Sequence, residues 1–395
     1  VFSRVLLVIV KPLALWLSIQ LDTDAGLAVA QIYLIGLLFI SLSGTNAHRP
    51  FYQKFFGAKD DFSNINVIRS FIEYIQKITL QLILVILASL IIATIVFWGS
   101  LGVVITGILF GIAEKINDEF QRYSQFINNS NNLFFLALSK LIPVSIASLL
   151  SYLHIIDIRF SFPALLFVGS IVVVFVTYFL TFRIIVNKLR KSILTNFKMS
   201  FEYIRQDILQ IGCVFMGISL ISLDKWLLQY FLTTDLPTYM LYTQIASIFI
   251  VSQTIILIAP VRARLVNENP QDINTIRVGS PIISFVPFLI GILLYFNDDV
   301  FEGAGQLGYF AFFFASIVTF SVAYVERLYW ATTAKKRLIL DSSIVISFLL
   351  SVVMLTIFMP KDYLVLLSLL MLFCFMCLRV IVMIYLLNKN KSYSI

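Results

Sequence analysis

The feature that most constrains this chain is a series of about twelve apolar stretches, most of them near the roughly 20 residues that a helix needs to cross a bilayer. Only 13% of the residues are charged, whereas soluble domains carry about a quarter. The sequence therefore predicts an all-α, polytopic membrane protein. The predicted spans are 1–21, 25–43, 78–98, 101–113, 133–153, 163–185, 208–231, 239–259, 282–296, 307–329, 338–358 and 363–387.

The distribution of basic residues predicts the orientation of these spans. With the N-terminus in the cytoplasm, most lysines and arginines fall in the inner segments, and the outer loops hold only Arg159 and Lys361. Cytoplasmic loops carry such an excess of Lys and Arg. We therefore expect an even number of spans and both termini in the cytoplasm.

A basic segment divides the chain into two halves. Residues 187–207 are predicted as a cytoplasmic linker helix on the membrane surface, between an N-terminal six-helix lobe (1–186) and a C-terminal one (208–395). A weak internal repeat agrees, because the first hairpin and the seventh and eighth spans share short sequence matches: Trp16-Leu17, Asp24 and Gln31-Ile32 against Trp226-Leu227, Asp235 and Gln244-Ile245.

Several charged residues lie inside the predicted spans, where each costs roughly 2.5–3.5 kcal/mol on insertion scales. Lys11, Lys140 and Lys225 are the basic ones, and Arg4 shares a helix face with Lys11, seven residues further on. Either the Arg4 side chain extends to the lipid headgroups, or it contributes to the same binding site as Lys11. We interpret the lysines as lining a water-filled cationic cavity that binds a diphosphate, since several cationic groups can share its charge.

The acids have two open interpretations. Asp224 and Lys225 are adjacent and point about 100° apart, so the pattern predicts that they do not pair with each other. Either each pairs with another helix, or Asp224 is a protonation or cation site and Lys225 a ligand site. Glu114 and Arg122 are predicted to line a cytoplasmic gate.

Two further charged groups are interpreted as structural. Lys115 and Asp118, on the segment that holds Glu114, are predicted to form a solvated helix face. Arg379, near the middle of the last span, is predicted to pair with a neighbouring helix.

The sequence contains no P-loop, no nucleophile elbow and no paired-carboxylate loop. Cys374 and Cys377 have CxxC spacing but no partner pair, so a metal site is disfavoured. We expect a transporter rather than an enzyme, with no cofactor other than a coupling ion, H+ or Na+.

The stretch Ser-Leu-Asp-Lys-Trp-Leu-Leu-Gln-Tyr-Phe-Leu at 222–232, followed by Tyr-Met-Leu-Tyr at 239–242, resembles the hallmark of Wzx-type polysaccharide flippases of the multidrug/oligosaccharidyl-lipid/polysaccharide (MOP) exporter superfamily. The first hairpin is similar too, with its polar turn at Asp22–Ala25 and Ser-Gly-Thr-Asn at 43–46. The resemblance implies two six-helix lobes around a V-shaped central cavity. It also implies translocation of undecaprenyl-diphosphate-linked oligosaccharide, as in O-antigen synthesis, across the bacterial inner membrane.

In this resemblance Asp224 and Lys225 match the family motif, whereas Lys11 and Lys140 are candidates only because they lie inside apolar spans. Membrane lipids, a polysaccharide polymerase and a chain-length regulator are the partners it implies. Two alternatives stay open. One is a cation-coupled small-molecule exporter of the same superfamily, which should present net acid in its cavity. The other is a membrane-embedded glycan polymerase or ligase, which should have a large periplasmic loop.

Overall fold

The structure is a computed structural model that describes residues 2–43, 81–97, 100–126, 130–177, 193–258, 270–296, 307–331 and 333–391. Every regular element in these ranges is helical, and no strand occurs in them. The chain divides into two compact units, Val1–Phe215 and Met216–Ile395.

The first unit begins with a helical hairpin, whose two helices are separated at Asp22 by one residue in an extended conformation. Among the described helices that lie wholly in this unit, Asp157 caps the last one, because its Oδ1 accepts a hydrogen bond from the Arg159 N–H at 2.9 Å. Its described helices are α1 (Phe2–Leu21), α2 (Thr23–Leu42), α3 (Gln81–Val96), α4 (Leu101–Phe126), α5 (Ser130–Tyr152) and α6 (Ile158–Thr177).

The helix α7 (Ile193–Phe231) contains the division between the two units. A 3-10 turn at Thr233–Asp235 leads into α8 (Leu236–Gln253), which continues as a π-helical segment, Thr254–Ile258. The remaining helices are α9 (Pro270–Phe296), α10 (Gly308–Ala331), α11 (Ala334–Phe358) and α12 (Lys361–Lys391).

Six helical segments in the described ranges are long and apolar enough to cross a membrane: Thr23–Leu42, Ile208–Phe231, Thr233–Ile258, Gln271–Phe296, Ala334–Phe358 and Tyr363–Asn388. The chain is therefore a helical membrane protein, as its composition predicted. Shorter apolar helices accompany them, and the number of twelve spans stays a prediction.

The part of the predicted linker that the structure describes, from Ile193 onward, is helical, and its location on the membrane surface stays a prediction. From Ile193 onward the predicted surface helix is the N-terminal part of α7 and runs without a break into the seventh predicted span. Helix propensity continues through the basic stretch, because no Pro or Gly separates Ile193 from the apolar run. The amphipathic segment predicted at 67–75 lies outside the described residues.

Close packing of α2 against α4 positions the charged part of α4. A Cβ on Gly36 would lie 2.6 Å from the Phe110 ring, and one on Gly111 would lie 2.8 Å from the Phe39 side chain. Small residues spaced by four, such as Gly107 and Gly111, let membrane helices approach this closely. The approach fixes the Phe110 ring one turn before Glu114 on the same helix.

Candidate functional site: a carboxylate shared by two lysines

Three helices of the first unit bring one acid and two bases together. The Lys11 Nζ of α1 lies 2.8 Å from Glu114 Oε2, and the Lys140 Nζ of α5 lies 2.8 Å from Glu114 Oε1. Each carboxylate oxygen of Glu114 thus accepts a hydrogen bond from a different ammonium group. All three residues were candidates from the sequence, but Glu114 was assigned to a gate rather than to the lysines.

The cluster is buried unequally. Glu114 and Lys140 are nearly inaccessible, whereas 28% of the Lys11 side chain is exposed. With all three groups ionised, the cluster carries one excess positive charge. The exposed fraction of Lys11 is therefore the part of this charge that a ligand can reach.

Aromatic rings support the Lys11 end of the cluster. The Lys11 Nζ lies 5.7 Å from the centroid of the Phe110 ring, within cation–π range. The Tyr33 hydroxyl donates to the backbone carbonyl of Lys11 at 2.9 Å, and the Tyr33 and Phe110 rings are 5.0 Å apart. Tyr33 therefore fixes the position of the Lys11 backbone, a role that its apolar surroundings in the sequence did not indicate.

Proline lies close to both lysines on their own helices. Pro12 follows Lys11 in α1, and Pro143 comes three residues after Lys140 in α5. Proline lacks the N–H that closes a helical turn, so each helix loses one backbone hydrogen bond beside its lysine.

The prediction that Lys115 belongs to a solvated face is wrong. Lys115 is buried and its Nζ lies 2.7 Å from Glu119 Oε1, one turn along α4. Asp118, predicted on the same face, is half-buried. Asn117 is also buried and donates to the Ser170 hydroxyl of α6 at 2.7 Å. This part of α4 packs against other helices, although its mixed charge predicted a solvent-exposed face.

A second charged cluster lies on α7 and α8. Asp224 is buried and accepts the Tyr239 hydroxyl at 2.7 Å. The Lys225 Nζ donates to both oxygens of Asp224 at 3.0 Å, and to the Ile221 carbonyl at 3.2 Å. In contrast to the first cluster, this pair is neutral.

The prediction that Asp224 and Lys225 do not pair is therefore wrong. The 100° angle separates their Cβ directions, whereas the four-carbon stem of lysine folds back along the helix and carries the ammonium to the preceding side chain. Tyr239 was missed as a partner of Asp224, although it is the first tyrosine of the quoted 239–242 motif.

Arg379 pairs with a neighbouring helix, as predicted. Its Nε donates to Asp341 Oδ1 at 2.7 Å and its Nη2 donates to Asp341 Oδ2 at 3.2 Å, between α12 and α11. Both side chains are buried, so this pair belongs to the packing of the second unit.

Two predicted site residues cannot be placed at the level of side chains. Arg4 and Arg122 lie on α1 and α4, and their side chains are outside the described ones. Within the described ranges, no group of three or more His, Cys, Asp or Glu side chains is arranged to hold a metal ion.

Family models, curated proteins and solved structures contain no match to this chain.

Proposed function

We propose that this protein is a flippase that moves undecaprenyl-diphosphate-linked oligosaccharide from the cytoplasmic to the periplasmic leaflet of a bacterial inner membrane. In this proposal twelve spans form two six-helix lobes, both termini are cytoplasmic, and an H+ or Na+ gradient drives the cycle. The observation that carries the proposal is the Lys11–Glu114–Lys140 cluster, which holds one excess positive charge between three helices of the first unit.

The stoichiometry of the cluster supports an anionic cargo. Lys140 alone can balance Glu114, so Lys11 can turn to a ligand without leaving a buried carboxylate unpaired. A diphosphate offers several acceptor oxygens and more than one negative charge, and charge-assisted hydrogen bonds to such groups are among the strongest in proteins. Lys11, the partly exposed lysine, is then the first contact of the head group.

The same charge count argues against a cationic cargo. An exporter of cationic drugs should present net acid to its substrate, whereas this cluster has two bases for one acid. A polymerase or ligase should have a large outer loop, and the described turns at 153–157 and 232–235 are short.

Transport into vesicles tests the proposal. The purified protein is reconstituted, and translocation of undecaprenyl diphosphate carrying a fluorescent oligosaccharide is followed with a membrane-impermeant quencher. Lys11→Ala should lower the transport rate about tenfold or more, the loss expected for one hydrogen bond between charged groups. Ethidium transport, measured in the same vesicles, represents the alternative exporter.

The matched control is Lys198→Ala, because Lys198 is an exposed lysine of α7. It should transport at the wild-type rate. Wild-type rates in Lys11→Ala, Lys140→Ala and Lys225→Ala at equal protein levels would refute the proposal, and so would ethidium transport without lipid transport.

A further inference from the structure

The second unit has an open groove between its last two helices, α11 and α12, with a volume of about 830 Å³. This is within the roughly 300–1,000 Å³ of typical ligand sites. Its walls are mainly aliphatic: Ile339, Leu340 and Ile344 on α11, and Leu378, Val382 and Leu386 on α12. None of these residues belongs to the two charged clusters.

The groove has the length of one membrane leaflet. On α11 it is lined from Lys336 to Ser347, and the eleven helical steps between these two residues rise about 16 Å. Half of the hydrocarbon core of a bilayer is about 15 Å. The groove therefore begins near one end of α11 and stops near the middle of that helix, which ends at Phe358.

Both walls belong to candidate membrane spans, Ala334–Phe358 and Tyr363–Asn388. Apolar side chains in the groove are open to their surroundings, with Ile339 56% and Leu378 48% exposed. The Ser343 hydroxyl, a polar group in this wall, is satisfied by the Ile339 carbonyl of its own helix at 2.7 Å. The interior of the groove thus requires an apolar occupant.

The end of the groove at the start of α11 has the opposite character. Lys336 is exposed there, in the first turn of α11, and in the described part of the chain it has no ion-pair partner. The N-terminal end of a helix also favours an anion through its dipole. Tyr385 of α12 lines the same end, and tyrosine is enriched at the level of lipid headgroups.

We propose that this groove binds one anionic phospholipid, with an acyl chain along α11 and α12 and the phosphate at Lys336. Length, apolar walls and a cationic end match the three parts of such a lipid, and the surrounding bilayer supplies it. The inference concerns lipid binding rather than transport, so it is independent of the proposed flippase function.

Native mass spectrometry of the detergent-purified protein with added phosphatidylglycerol or phosphatidylcholine tests this inference. We expect a preference for phosphatidylglycerol that Lys336→Ala reduces about fivefold, the effect of one basic side chain on an anionic lipid. The control is Lys335→Ala, at an exposed lysine that does not line the groove, and it should keep the preference. Equal preference in both variants would overturn the inference.

Filling the groove gives a second measurement. Leu378→Trp should remove one bound lipid, whereas Leu370→Trp, at a residue of α12 that is equally exposed but outside the groove, should not. If glycerol phosphate displaced the bound phosphatidylglycerol as strongly as the whole lipid does, the site would bind the anion only. That result would overturn the role of the acyl chain. Loss of a dimer in Leu378→Trp with unchanged lipid binding would instead identify a contact between copies of the chain, and would also overturn the inference.

Discussion

Replacing Glu114 by Gln tests the shared carboxylate most directly. The change keeps the size of the side chain but leaves two ammonium groups, each 2.8 Å from it, without an acid. Removing one partner of a buried ion pair costs about 3–5 kcal/mol, because an uncompensated charge stays buried. For a unit of this size, that loss corresponds to a fall in Tm of roughly 6–20 °C.

Lys140→Met provides the contrasting variant. Glu114 then keeps Lys11 as its partner, so no buried charge is left unpaired. We expect Lys140→Met to be clearly more stable than Glu114→Gln, and the double variant to recover part of the loss of Glu114→Gln. The recovery is expected because the remaining ammonium belongs to Lys11, which is partly exposed and can reach the surface.

The assay is thermal unfolding of the detergent-purified variants, followed with a thiol-reactive fluorophore at the free cysteines. The shared carboxylate would be disproved if Glu114→Gln had the same Tm as the wild type, or if the double variant had a lower Tm than Glu114→Gln. Either result would mean that Glu114 does not balance the two lysines.

Two further variants test the second unit in the same assay. Tyr239→Phe removes the hydroxyl that donates to Asp224 at 2.7 Å, and should lower stability by about 1.5–3 kcal/mol, as for a hydrogen bond to a charged group. The control Tyr230→Phe, at an exposed tyrosine of α7, should have the Tm of the wild type. Equal Tm values for both variants would contradict the role of the hydroxyl. Asp341→Asn leaves Arg379 buried without an acid, and should cost about 3–5 kcal/mol; an unchanged Tm would show that water or another group solvates the guanidinium.

The helical, membrane-embedded character of the chain could be predicted from the sequence, and so could the candidate charged residues, because hydropathy and charge are local properties. Which charges meet could not be predicted in the same way. Lys11, Glu114 and Lys140 are far apart in the chain, and only the packing of α1, α4 and α5 makes one carboxylate serve both lysines.

Local geometry misled the prediction in one place and composition in another. The angle between neighbouring Cβ atoms says little about a side chain as long as Lys225, whose ammonium reaches Asp224 and the preceding turn. The charges of Lys115 and its neighbours suggested solvent, but an acid one turn away on the same helix allows a lysine to be buried. In both cases the missing information was the conformation of a long lysine side chain, which a hydropathy profile does not contain.

The two clusters differ in whether a lysine can leave its carboxylate to bind an anionic ligand. Lys225 is the ammonium bound to Asp224, and moving it away would leave that buried carboxylate with the Tyr239 hydroxyl as its remaining partner among the described residues. Drawing Lys11 away leaves Glu114 still paired with Lys140 at 2.8 Å. Because an unpaired buried charge costs several kcal/mol, an anionic ligand should engage Lys11 before Lys225. Substitution of Lys11 should therefore weaken binding of a diphosphate head group more than substitution of Lys225, and the opposite order would place the first contact at the seventh-span motif.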